Sequence, residues 1–433
     1  MPLILTPVYM FGSFKWKIFI KIIILQVLTY ILVKLAVYIF YEKVYIRPVI
    51  VWWTPFMPKE MRKINCQHEY ECLVLSRYEN SPQDLVKAYL FYGSQIKNDD
   101  FPLPRSKDVL WAIYHEESPK NYAPFLHKEV QALFNITATF SRFSDFPLTL
   151  NYLDNINLLT DKNFFRSVEV KNLLLKNFAP VLYVQSNCDT PIGRDGIVKE
   201  LMQYINVDSY GHCLNNKNLP DELLSVDRLD IYNNKYIDFV SKYKFIIAIE
   251  NAICEDYITE KLWRPLIAGS VPIYLGSDQV EDWLPNNSST ILVKDFPNIS
   301  SLANFIAKVN DNNTLYNALL EHKINGKITN NFLKNNIILD SSNSHHSITN
   351  FECFICKTIH EMIRETNKNP QKQRKQNIYK CDRPSGKMNT WDQHWDIGKC
   401  QAKALKFFLD KNVPYSSDEF DAQWKLFWNQ GNC

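Results

Sequence analysis

Two successive series of short apolar runs, spaced by helical and loop stretches, constrain this chain more than any other feature. In the first half, Val49 to Trp53, Cys72 to Leu75, Ala88 to Tyr92, Val109 to Tyr114 and Ile136 to Phe140 read as buried strands bounded by Pro, Asn and Ser clusters. The second series runs Val181 to Gln185, Val207 to Tyr210, Phe245 to Ile249, Val271 to Leu275 and Ile291 to Val293. Helical patterns fall at Ile197 to Tyr204, Ile258 to Ile267 and Ser301 to Val309. Strands that alternate with helices pack as parallel sheets covered on both faces, and such sheets bind ligands at the carboxyl ends of their strands. Since single cores stop growing near ~250 to 300 residues, 433 residues predict two α/β doubly wound domains, 42–176 and 177–350, with a ligand cleft between them. Beyond them, 351–433 holds a polar linker, Glu365 to Lys380, and a Cys- and Trp-bearing tail expected to pack back on the body.

The amino terminus and the cysteines bear on compartment. Ile18 to Tyr41 form the one long apolar run, interrupted by Lys21, Gln26 and Lys34, and a bilayer span needs roughly 20 residues. Lys15, Lys17 and Lys21 precede its centre and no small-residue cleavage site follows. The run 18–41 therefore predicts an uncleaved transmembrane signal anchor, with 1–17 cytosolic and the remainder lumenal. Ten cysteines, an even number, suit pairing in an oxidising compartment, and N-x-S/T acceptors occur at Asn135, Asn286, Asn287, Asn298 and Asn312. A lone C-x-x-C at Cys353 and Cys356 lacks the second pair that a four-thiolate zinc site needs. A formal charge of +3 is too mild for nucleic acid to be the main partner.

The densest polar constellation is YKFIIAIENAICEDYITEKLWRP, Tyr243 to Pro265. A buried strand ends at Ile249, Glu250 and Asn251 sit at its carboxyl end, and Asp256 is expected to cap a helix beginning near Tyr257. A helix start carries unpaired N–H groups and about half a positive charge, which suits a diphosphate, and Lys261 and Arg264 add full cations. By spacing alone, Glu260, Lys261 and Arg264 suit a solvated helix face equally well.

This stretch resembles the donor-binding motif of the α1,3/4-fucosyltransferase family: aromatic-K-F, apolar residues, F-E-N, then D-Y-I-T-E-K-L-W-R. The segments FNITATF at 134–140, VQSNCD at 184–189 and VDSYG at 207–211 extend the likeness over roughly Pro48 to Cys356. The resemblance implies a GT-B arrangement of two Rossmann-like domains, GDP-fucose as donor, and inversion at the anomeric carbon without a bound metal. It implies that Arg194 and Lys261 grip the pyrophosphate and that Glu250, Asn251, Tyr257 and Glu260 line the nucleotide and fucose pocket. Glu117, Ser118 and Pro119 match the family's E-S-P, making Glu117 the expected general base; His115, intrinsically suited to neutral pH, is the rival base, and a structural histidine is the favoured reading of it. Burial and the neighbouring Glu116 would raise Glu117's proton affinity, as deprotonating a hydroxyl requires.

Departures place the branch. Pro265 follows Arg264 where Asn is usual, predicting a shortened or kinked helix, and Ser141, Arg142 and Phe143 replace a basic-then-acidic run. WRPLIAGSVPIYLGS, DWLPNN and the tail to Cys433 are similar to a divergent subgroup described as protein O-fucosyltransferases acting on EMI domains. That likeness implies transfer to Ser or Thr of a folded protein domain in the endoplasmic reticulum or Golgi. It also implies cross-links by which Cys66, Cys72, Cys353 and Cys356 tie the first domain to the end of the second. α1,3-Fucosylation of GlcNAc in a glycoprotein glycan is the alternative acceptor chemistry, and a lumenal binding protein without turnover is the alternative class.

Overall fold

The structure, a computed structural model, describes residues 21–36, 47–55, 61–80, 83–153, 155–227, 230–336, 347–364, 379–384 and 389–433. Six strands form the first sheet: β1 Val49–Trp52, β2 Arg62–Cys66, β3 Tyr70–Ser76, β4 Val86–Tyr92, β5 Leu110–His115 and β6 Ile136–Thr139, in the order β2-β3-β1-β4-β5-β6. All neighbours are parallel except β2 and β3. Each apolar run of the first series is a strand, whereas β2 was not expected. Its sequence, RKINC, buries only Ile64 and Cys66, because an antiparallel edge strand needs one apolar face and so lacks a continuous apolar run.

The second sheet holds β7 Val181–Gln185, β8 Val207–Gly211, β9 Phe245–Ile249, β10 Val271–Leu275 and β11 Ile291–Leu292, all parallel, in the order β11-β10-β9-β7-β8. Helices α1 Arg194–Leu201, α2 Asn234–Ser241 and α3 Glu260–Ala268 connect its strands. Apolar clusters fill both faces, one built on Tyr243, Leu262 and Trp263, the other on Val198, Ile247 and Ile306. In each sheet the chain order reverses beside the first strand: β1 lies between β3 and β4, and β7 between β8 and β9. At such a reversal the connections leave to opposite faces, and a crevice opens at the strands' carboxyl ends.

The first sheet is covered by the far end of the chain. Helix α4, Ser347–Arg364, lays Phe351, Ile355 and Ile359 on the face carrying Ile50, Val74 and Leu90. It is tied there by Cys66–Cys353 and Cys72–Cys356, the cross-links that the resemblance implied. Buried Glu352 joins the same contact, accepting from Trp52 Nε1 at 2.8 Å and pairing with Arg62 at 2.6 Å. The opposite face, with Phe91, Trp111 and Ile113, packs on Ala402, Leu405, Phe408 and Phe420 from α5, Asn389–Lys411, and α6, Ser417–Asn429. The expected break between 350 and 351 therefore falls inside α4, and the expected appendage is a covering layer, because a parallel sheet must be shielded on both sides. Truncation after residue 384 is expected to strip that face and abolish soluble folded protein; soluble expression and circular dichroism of the truncated chain check this.

The transmembrane helix expected at 18–41 is not supported. Residues 21–36 form an exposed helix, 18–20 and 37–41 lie outside the described residues, and no helix among the described residues is long and apolar enough to cross a membrane.

Candidate active site

β7 and β9 pair only at Val181↔Phe245 and Leu182↔Ile246, so they part toward their carboxyl ends. Arg194, the first residue of α1, fills the gap. It is 1% exposed; Nη1 donates to the Ile249 carbonyl at 3.3 Å and Nη2 to the Asn187 carbonyl at 2.6 Å. It makes no ion pair with a carboxylate among the described residues. A cation buried without a counter-charge is costly, and the missing charge defines a place for an anion. On the same domain Arg194 Nε, Thr190 Oγ1 and Asn251 Oδ1, and on the first domain Glu116 Oε2, are buried with no hydrogen-bond partner among the described residues. Most buried polar atoms in folded proteins are paired, so these call for a partner such as a ligand, an ion or an ordered water.

Glu250, at the end of β9, is fully buried and accepts from the Thr259 N–H at 2.8 Å and from its hydroxyl. A Cβ on Gly276 would fall 2.7 Å from Glu250 Cγ and 2.4 Å from Tyr274 Oη, so only glycine admits both side chains there. Lys261 Nζ lies 3.4 Å from Glu250 and 3.2 Å from Glu260. Burial raises the Glu250 carboxyl, partly offset by Lys261. For Lys261, burial pulls the ammonium down, but Glu260 and Glu250 outweigh it and hold it above its ordinary value.

The first domain supplies the opposing wall. Beyond β5, Glu117 Oε2 accepts from Tyr257 Oη across the cleft at 3.5 Å. Burial lifts its carboxyl above the usual range, Glu116 adds to this, and Lys261 opposes it. Glu116 itself accepts from Tyr92 Oη at 2.8 Å. His115 points away, its ring 4.9 Å from that of Phe125, and burial lowers its pKa to about 3, so it stays neutral at physiological pH. Tyr152, from the segment between the sheets, had given no signal of its own. Burial and then the charges of Glu260, Glu117, Glu116 and Glu250 hold its hydroxyl protonated, which puts it among them.

One local expectation is corrected. Thr259, not Asp256, caps α3, accepting from the Lys261 N–H. Asp256 takes a left-handed backbone, φ 61°, and its carboxylate is spent elsewhere. Arg264 lies with its guanidinium 4.8 Å from the Tyr236 ring, and its charge, after that of Lys261, helps hold the Glu260 carboxyl below its ordinary value against burial. Pro265 is accommodated inside the nine-residue helix, which ends at Gly269.

Arg142, noted in the sequence only as a departure, joins the two halves. Its Nε donates to Asp256 Oδ1 at 2.8 Å, its backbone N–H to Oδ2 at 3.0 Å, and Nη1 to Asp282 at 2.7 Å. Trp283 Nε1 also donates to Asp256 at 3.1 Å. Tyr257, which reaches Glu117, directly follows Asp256, so Arg142 fixes the loop that aims it. Arg142→Ala leaves a buried carboxylate without its cation and is expected to cost about 2 to 3 kcal/mol, read from urea unfolding. Nothing in local sequence signals a partner 114 residues away.

Residues 46–151 match the family described as "Fucosyltransferase, N-terminal" and 175–376 match "Glycosyltransferase family 10 (fucosyltransferase) C-term". The chain is 39% identical over 406 residues to GDP-fucose protein O-fucosyltransferase 3 of Xenopus laevis, covering 88% of this chain and 85% of that one. It is 39% identical over 394 residues to the human protein of the same name, covering 86% and 82%. Among solved structures, a crystal structure of alpha1,3-fucosyltransferase with GDP-fucose matches with a TM-score of 0.41 and 18% identity, covering 73% of this chain and 90% of that one.

Proposed function

Because the chain belongs to glycosyltransferase family 10 (fucosyltransferase), we propose that it transfers fucose from GDP-fucose to a Ser or Thr hydroxyl of a folded protein domain of the EMI type. The observation that carries this reading is a buried guanidinium without a carboxylate partner, Arg194, at the parting of β7 and β9. Glu117 faces that region from the other domain. In the proposed reaction Arg194 and Lys261 hold the diphosphate, while Glu250 and Thr259 keep Lys261 in place. Asn251, Tyr257 and Glu260 line the nucleotide and sugar pocket. The Glu117 carboxylate takes the acceptor proton, the freed oxygen forms a bond to the anomeric carbon, and the bond from that carbon to the diphosphate breaks, its electron pair leaving with GDP.

Base and cations stand on opposite domains, an arrangement compatible with direct displacement and hence with the inversion proposed. Fixed cations in a water-poor cleft stabilise the departing charge, so the scheme calls for no metal. The test supplies GDP-fucose with a folded EMI domain or with a GlcNAc-terminated glycan and follows acceptor mass. Gain by the protein alone supports the reading. Gain by the glycan alone favours α1,3-fucosylation, and gain by neither, with GDP bound, favours a binding protein.

The run 18–41 is proposed as a single signal anchor holding the catalytic region in the lumen of the endoplasmic reticulum or Golgi. Five disulfides pair all ten cysteines, which supports an oxidising compartment. Protease protection of intact microsomes tests it: digestion of the catalytic region without detergent would refute a lumenal location.

A further inference from the structure

The C-terminal segment does more than cover the first sheet: it crosses the mouth of the cleft. Cys381 is disulfide-bonded to Cys254, in the loop between β9 and α3, and the two strands of chain pair there. Glu255 N–H donates to the Lys380 carbonyl at 2.9 Å and Asp382 N–H to the Ile253 carbonyl at 2.9 Å. Tyr379 packs on Phe140, 4.5 Å between ring centroids, in one cluster with Tyr257. Arg383 then bonds Asp392 at 3.0 Å and Asp396 at 2.8 Å, fastening this segment to the first turns of α5. Further along α5, a Cβ on Gly398 would meet Ala123 Cβ at 2.7 Å, so α5 approaches the backbone just beyond Lys120 as closely as glycine allows.

The helix start so held carries Trp391. Its Nε1 donates to Asp189 at 2.6 Å, two residues past the Asn187 carbonyl that holds Arg194. Its ring lies 5.7 Å from Lys120 Nζ, three residues past Glu117, and 5.4 Å from the ring of His394. Lys120 in turn feels the charges of Arg194, Asp189 and Glu117. Trp391 thus touches both domains at the rim of the site, with its one polar atom already satisfied and its ring only half-buried.

We infer that Trp391 is a specificity-determining residue: its ring is the platform on which a folded protein acceptor rests an apolar side chain flanking the reacting hydroxyl. The inference rests on the proposed transfer to protein. The donor's anionic groups have their partners deeper, at Arg194 and Lys261, whereas Trp391 offers no free donor or acceptor for a phosphate or a ribose. A large ring clamped by a disulfide, an indole hydrogen bond and two ion pairs loses little freedom on binding, the condition under which an aromatic anchor contributes most to an interface.

The test measures KM and kcat for a folded EMI domain, GDP affinity, and GDP-fucose hydrolysis without acceptor, on the whole chain. Trp391→Ala is expected to raise acceptor KM at least about tenfold while GDP affinity and hydrolysis stay within about twofold; Trp391→Phe, which keeps a ring, is expected to recover most of the loss. An unchanged acceptor KM overturns the inference, and so does an equal loss of GDP affinity, which would make Trp391 part of the donor pocket. Where the alanine variant fails to fold, hydrogen exchange of the wild-type chain decides: the acceptor must protect amides of 389–396, and absence of protection refutes the platform. Wild-type protein that hydrolyses GDP-fucose yet fucosylates only glycans refutes the proposed protein acceptor itself, an outcome separate from any effect of Trp391.

Discussion

Glu117→Gln is expected to lower kcat for fucose transfer by about 10²- to 10⁴-fold, the range lost with a general base, while GDP binds as before. Glutamine keeps the shape and can still accept from Tyr257 Oη, but it takes no proton. The same substitution is expected to raise the melting temperature at pH 7. Burial first, and Glu116 second, lift the folded-state pKa of Glu117 above its unfolded value. The folded state then holds the proton more tightly, so stability present below the unfolded pKa is lost as pH rises through the folded one. At neutral pH the carboxylate is therefore a stability cost that glutamine removes. In the wild type, kcat/KM should fall on acidification with a midpoint above the ordinary carboxylate range. Normal turnover by Glu117→Gln, or an acidic limb at an unshifted glutamate pKa, would contradict the base assignment. Calorimetric titration of GDP and a pH–rate profile supply both readings.

Arg194→Met separates ligand binding from folding. Because the guanidinium is buried against two carbonyls with no carboxylate partner, it meets its counter-charge only when an anion binds. Loss of the cation is expected to weaken GDP by about 2 to 4 kcal/mol, on the order of a hundredfold in Kd. An apolar side chain of similar length should raise the melting temperature of the free protein by about 2 to 4 °C, since replacing an uncompensated buried charge by packing is often stabilising. GDP should then protect the variant little against heat. A variant that melts lower and binds GDP normally would show instead that Arg194 serves the fold.

The contrast between Lys261 and Arg142 locates the limit of what could be read from residues in order. Lys261 lies within a run from Tyr243 to Arg264 in which strand end, loop and helix start are contiguous, so its neighbours in space, Glu250 and Glu260, are also near in sequence. Arg142 and Asp256 belong to different domains, and their pairing depends on how the two sheets face one another. The helix cap differs from the expectation for the same reason: Asp256 has the composition of a cap, but a distant arginine and Trp283 claim its carboxylate, leaving Thr259 to cap.

Alternating apolar runs and a contiguous donor motif were enough, by themselves, to determine two α/β domains with largely parallel sheets, the strands that carry Glu117 and Glu250 at their carboxyl ends, and the helix that carries Lys261. Local patterning records which residues must be buried and which peptide groups need partners, and both are short-range demands. Only the tertiary structure decided that the first sheet is covered by residues from the other end of the chain, that Arg142 spans the cleft, and that Trp391 stands at its rim. These depend on which apolar surface finds which, and a sheet face can be shielded by any helix of fitting shape, however far along the chain that helix lies.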